Sequence, residues 1–158
     1  MVYYRVTVIL IVKGVCTMKL RYEFDLTDAE NTKRSGGTDL PGALPILVRD
    51  SGVLEGGTGY LYKETEPQAQ LCLAAADDLG MFLGITADGT EYLSCGDADD
   101  LAETVDVWGD DLLVSRGLFI PVKTALAAIR YFAENGQPDP AVKWIKPEDL
   151  PEDGNYII

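Results

Sequence analysis

The sequence predicts an α+β fold: an antiparallel β-sheet meander with one main C-terminal helix, about residues 121–135, packed on it. Three observations predict it. Lys19-Leu20-Arg21-Tyr22-Glu23-Phe24-Asp25-Leu26 alternates polar and apolar residues with the period of two of a half-buried strand, Leu20, Tyr22, Phe24 and Leu26 facing inward. Asp88-Gly89 lies between two apolar runs, and Asp-Gly tolerates the positive φ that a tight hairpin turn demands. After Pro121, the residues Val122, Ala125, Leu126, Ile129, Phe132 and Ala133 recur at three- and four-residue steps, a stripe that packs on a sheet.

The elements follow in order. Val6-Thr7-Val8-Ile9-Leu10-Ile11-Val12 reads as a buried strand, because it is far short of the ~20 residues a spanning helix needs. Met18 stands before the first alternating strand and is an alternative start, which would make residues 1–17 an upstream extension. Thr27 to Leu40 has a loop composition; Thr27 and Glu30 have capping-box spacing, but no apolar period follows, so at most one helical turn is expected. Leu44 to Val48 is a short strand, and Gly56-Gly57-Thr58-Gly59 reads as turn residues leading into Tyr60-Leu61-Tyr62. The meander then runs through Ala69–Ala74, Met81–Ile85 and Thr90–Cys95. Glu103–Trp108 and Leu112–Val114 follow, with Val105 and Val107 on one face. Asn135-Gly136 stops the helix with a left-handed cap, and Pro138 and Pro140 prevent its resumption. Ala141 to Ile145 is a last short strand, and 146–158 a surface tail. At 158 residues, with no linker or internal repeat, the chain is a single domain, 1–158.

Composition excludes several function classes. Lys plus Arg is 13 against 26 Asp plus Glu, a formal charge of −13, and there is no histidine. The commonest general base and the commonest zinc ligand are therefore both missing. So acidic a chain is unsuited to nucleic acid or an anionic membrane, whose phosphates need Lys and Arg. It suits a basic partner. Cys16, Cys72 and Cys95 are odd in number and fit no paired spacing, as expected of reduced thiols in the cytoplasm.

Motifs for catalysis are correspondingly thin. Gly56-Gly57-Thr58-Gly59 lacks the frame of a phosphate-binding loop, and Thr86 stands where an aspartyl-phosphate loop would carry its nucleophile. Asp97-Ala98-Asp99-Asp100 begins like a calcium loop, but Leu101 and Ala102 replace an oxygen ligand and the required glycine. No cofactor or metal is implied. The acid pairs Asp77/Asp78, Asp99/Asp100 and Asp110/Asp111 all fall in expected turns, where water solvates them. Their distribution says more. No basic residue lies between Lys63 and Arg116, while Asp77 to Asp111 holds eleven acids in thirty-five residues. In a meander several of these turns emerge at one sheet edge. The resulting field opposes folding by self-repulsion, and at physiological salt it reaches ~8 Å. It favours steered capture of a basic partner, and ordinary solubilising charge is the competing reading.

Phe119-Ile120-Pro121-Val122, then Ala125, Ala128, Phe132, Asn135-Gly136, Pro138 and Val142-Lys143-Trp144, resembles the C-terminal signature of immunity protein family one of bacterial polymorphic toxin systems. Gly84 to Gly96 and Val107-Trp108-Gly109 are similar to its paired strands, so the resemblance spans about residues 69–146. The helix that this family places after its first strand has no counterpart in Thr27 to Leu40. The resemblance implies a non-enzymatic, cytoplasmic protein that neutralises a cognate toxin domain, commonly a nuclease or nucleic-acid deaminase. It carries over no catalytic residues. Trp108 and Trp144 match signature positions and read as core. From charge alone, the toxin-binding residues are expected at Asp77, Asp78, Asp97, Asp99, Asp100, Asp110 and Asp111, covering a basic cleft. Two alternatives are an acidic adaptor domain without a toxin partner and a carboxylate-dependent enzyme, which would need a deep pocket holding a buried carboxylate. Nothing in the sequence sets the oligomeric state.

Overall fold

The structure, a computed structural model, describes residues 20–27, 33–36, 56–63, 68–76, 78–107 and 112–157. The elements are β1 (Leu20–Thr27), β2 (Lys33–Gly36), β3 (Gly56–Lys63), β4 (Ala69–Ala76), β5 (Gly80–Ala87), β6 (Thr90–Ser94), β7 (Thr104–Asp106), β8 (Leu113–Ser115), the helix α1 (Val122–Asn135) and β9 (Trp144–Ile145). One-turn 3₁₀ helices stand at Ala98–Asp100, Arg116–Leu118 and Pro147–Asp149. Among the described residues, seven strands form one sheet in the order β2-β1-β3-β4-β5-β6-β9, and β7 and β8 form a second, small sheet. Every pairing among the described strands is antiparallel. The chain is thus α+β, with the expected meander running from β3 to β6.

The two faces of the main sheet take different cover. Opposed residues in an antiparallel ladder share a face, so the rows Leu61–Leu71–Ile85 and Leu73–Leu83 lie on the same side. α1 packs there with Ala125, Ala128, Ile129, Phe132 and Ala133 buried, while Val122 and Leu126 pack more shallowly. The expected stripe is the one that packs. Gly136 ends the helix at φ 67°, its amide donating to Phe132 O. The other face carries Ala74, Phe82 and Leu93. It is covered by Leu101, Val107, Val114, Leu118 and Phe119 from the segment that includes the small sheet. Each large apolar side chain fully buried in these layers stabilises the fold by about 1.5–3 kcal/mol.

Buried polar groups are matched. Ser94 is fully buried; its Oγ accepts from Leu83 N (2.9 Å) and donates to Leu118 O (2.7 Å). Cys72 and Cys95 are buried free thiols. Burial pushes the Cys72 thiol up to about 12 against an opposing hydrogen bond from Tyr60. The Cys95 thiol is also raised, mainly by burial, with the Lys143 charge opposing it.

Four expectations are corrected. Thr27 to Leu40, expected as loop with at most a helical turn, contains β2, because the end of β1 offers Phe24 to Thr27 as ladder partners. Gly56 to Gly59, expected as turn residues, lie inside β3, where ladders on both sides replace the side-chain propensity glycine lacks. The last strand is only Trp144–Ile145, since Asp139 turns the chain before it: Ala141 N donates to Asp139 Oδ1 (2.9 Å) and Val142 N to Asp139 O (3.1 Å). The tail after Lys146 is only partly on the surface, because Leu150, Tyr156 and Ile157 pack against the second-face cluster. The expected strands at Val6–Val12 and Leu44–Val48, with Cys16, Met18 and Trp108, lie outside the described residues. Trp144 is half-buried and donates from Nε1 to Asp139 O (2.8 Å).

Candidate functional site: an acidic end of the sheet

Register decides which acidic turns meet. β4 leaves the sheet at Ala76, opposite Gly80 where β5 enters, and the turn between them carries Asp78. β5 and β6 pair from Ala87–Thr90 to Gly84–Leu93, so the chain after Ser94 emerges at the same end as Gly80. Asp78 and the stretch Asp97 to Asp100 therefore share one end of the sheet. Asp88 is excluded: its hairpin lies at the opposite end, where its Oδ2 accepts from Gln137 Nε2 (3.1 Å).

The stretch from 97 to 103 is built on backbone contacts. Gly96 N and Asp97 N both donate to Gly117 O, at 2.8 and 3.0 Å. Gly117 leaves no room for a Cβ, which would strike Asp97 O. Asp97 caps the 3₁₀ turn, its Oδ1 accepting from Asp99 N (2.9 Å). This is the local Asx bond that turn aspartates favour, and it spends the calcium-like start of the motif on a cap. Asp99 is left exposed.

Arg116 pairs with the cluster. Arg116 Nη1 lies 3.4 Å from Glu103 Oε1 and its Nε 3.9 Å from Asp100 Oδ2. All three side chains are 44–60% exposed. Pairs as solvated as these contribute at most about 1 kcal/mol, so Arg116 orients the loop more than it stabilises the protein. The Arg116 amide adds a bond to Glu103 O (2.7 Å).

Of the residues expected at the site, Asp78, Asp97, Asp99 and Asp100 are brought to this end, whereas Asp77, Asp110 and Asp111 lie outside the described residues. Glu103 and Arg116 join the site without having been expected there. Arg116 has a signal in the sequence, being the first basic residue after Lys63.

At the opposite end, Thr86, Gly89, Thr90, Glu91, Lys146, Pro147 and Glu148 line an open depression of about 380 Å³. Tyr156 OH donates to Glu91 Oε2 (3.3 Å), and burial, then the Glu91 charge, raises the phenol. The buried carboxylate Asp139 is engaged as a turn cap through Ala141 N and does not line this depression. Among the described residues no group of three or more Cys, Asp or Glu is arranged to hold a metal ion. No helix among them is long and apolar enough to cross a membrane. No family model matches this chain, and no curated protein or solved structure does either.

Proposed function

We propose that this chain is a non-enzymatic immunity protein, acting in the cytoplasm, that neutralises a cognate toxin domain by covering its basic cleft with the acidic end of the sheet. The toxin class that fits is a nuclease or nucleic-acid deaminase, whose substrate channel must be positive to hold phosphates. One observation carries this reading: Asp78 and the stretch Asp97 to Asp100 share one end of the sheet, with Arg116 linking Asp100 to Glu103. Support also comes from the net charge of −13 and from the signature between Phe119 and Trp144. Diffusional capture is where such a field acts most strongly, raising association rates by about 10–10³-fold at low salt.

The test is co-purification of a tagged copy with the product of the neighbouring gene, at low and high salt, for the wild type and for Asp99→Lys with Asp100→Lys. A salt-sensitive complex whose association slows about tenfold or more in the double variant is expected. A tight complex indifferent to salt and to the variant would keep immunity and discard the acidic end as its means. Absence of any complex would sink the immunity reading.

A further inference from the structure

We propose that residues 154–157 are a latch that holds residues 97–107 and 112–117, which carry the acidic loop and the small sheet, in place against the main sheet. A strand pair of three residues each, such as β7–β8, is too short to persist alone and needs support from outside. The tail gives that support at several points. Ser115 N donates to Asn155 O (2.7 Å), and Asn155 N donates to the buried Ser115 Oγ (2.8 Å). Asn155 Nδ2 donates to Leu113 O (2.8 Å), satisfying with a side chain a carbonyl that a further strand would otherwise satisfy. Gly154 is wedged between the loop and β8: a Cβ there would lie 3.0 Å from Leu101 O and 3.1 Å from Ser115 Oγ. Tyr156 then ties the same segment to β6 through Glu91 (3.3 Å), and Ile157 packs on the second-face cluster. One run of four residues thus touches the loop after Asp100, the small sheet and the main sheet. Arg116, next to Ser115, moves with the latched strand, so the latch also fixes the cation beside Asp100 and Glu103. The hydrogen bonds of the tail go to β8 and to Glu91 of β6, and none of them reaches β4, β5 or the helix. Releasing the tail therefore frees the acidic segment as a local unit while the main sheet stays closed. The latch operates whatever binds the acidic end.

Amide hydrogen exchange of the full chain tests this with two variants. Asn155→Asp replaces the Nδ2 donor with an acceptor and leaves the backbone bonds possible. Gly154→Val drives a branched side chain into Leu101 O and Ser115 Oγ. In both, amides in 104–107 and 113–117 are expected to exchange at least about fivefold faster, the effect of losing one typical hydrogen bond, with β4, β5 and α1 unchanged. Equal acceleration in the main sheet and helix, or global unfolding in both variants, would show the tail to be part of the global core and overturn the latch. Unchanged exchange in both variants would overturn it as well.

Discussion

A single buried thiol shows how the environment of one residue becomes a property of the whole chain. Cys72 sits on β4 opposite Tyr60 of β3, and burial raises its thiol from 9.0 to about 12. The unfolded chain releases this proton near the ordinary value, whereas the folded chain holds it until about 12. Above pH 9 the native state therefore binds more protons than the unfolded state. The associated stability is complete below that pH and is lost as the pH climbs toward 12. Every tenfold difference in proton affinity between the folded and unfolded chain is worth about 1.4 kcal/mol, which sets a ceiling of roughly 4 kcal/mol. In urea unfolding between pH 8 and pH 11, Cys72→Ala is expected to lose stability less steeply than the wild type. Parallel slopes would mean that the thiol is not held as described. In sequence, Cys72 is legible only as a reduced cysteine. Ser94 is less legible still, because its partner Leu118 is 24 residues away and no local spacing announces the bond.

Among the elements, those with a strong period are legible in the sequence, because the period is the packing. α1 shows its buried stripe in the order of its residues, the Asp88-Gly89 turn shows in its composition, and β4 and β5, buried on both faces, show as short apolar runs. β2 and the glycine-rich start of β3 are not legible in this way, because partner strands, rather than their own side chains, hold them extended. Two hairpins of the meander, β4–β5 and β5–β6, give a prediction on this scale. Asp88 and Gly89 have φ 52° and 74°, and Asp78 and Gly80 have φ 63° and 94°. A methyl group on Gly89 meets open space, whereas on Gly80 it collides with the Ile120 carbonyl, which accepts the Met81 amide (3.0 Å). Gly89→Ala is expected to cost about 1–2 kcal/mol, the left-handed backbone penalty alone. Gly80→Ala adds a backbone clash and is expected to exceed it by at least about 2 kcal/mol. Denaturant midpoints of the two variants check the order, and equal losses would contradict the close approach between β5 and the chain entering α1.

For the whole molecule, charge is the property the sequence announces most openly, and topology is what gives it a direction. Composition shows a formal charge of −13 but cannot tell that the 88–89 turn points away from Asp78 and Asp97. Strand order decides that. The same charge should make salt act with opposite signs on folding and on capture. In the isolated protein, like charges crowded at one end repel across a screening length of ~30 Å at 0.01 M salt, which shrinks to ~10 Å at 0.1 M. The pairs that salt would weaken, Arg116 with Asp100 and Glu103, are solvated and contribute little. Relief of repulsion therefore outweighs loss of attraction, and the Tm is expected to rise by roughly 2–4 °C over that range, equivalent to about 1 kcal/mol. Asp99→Lys with Asp100→Lys makes the net charge less negative by four where the acids are densest, so its Tm should depend less on salt. Association with a basic partner must move the other way, slowing as the same field is screened. A Tm that falls with added salt would mean that local ion pairs, rather than the collective field, govern this surface, and the case for steering by the acidic end would fall with it.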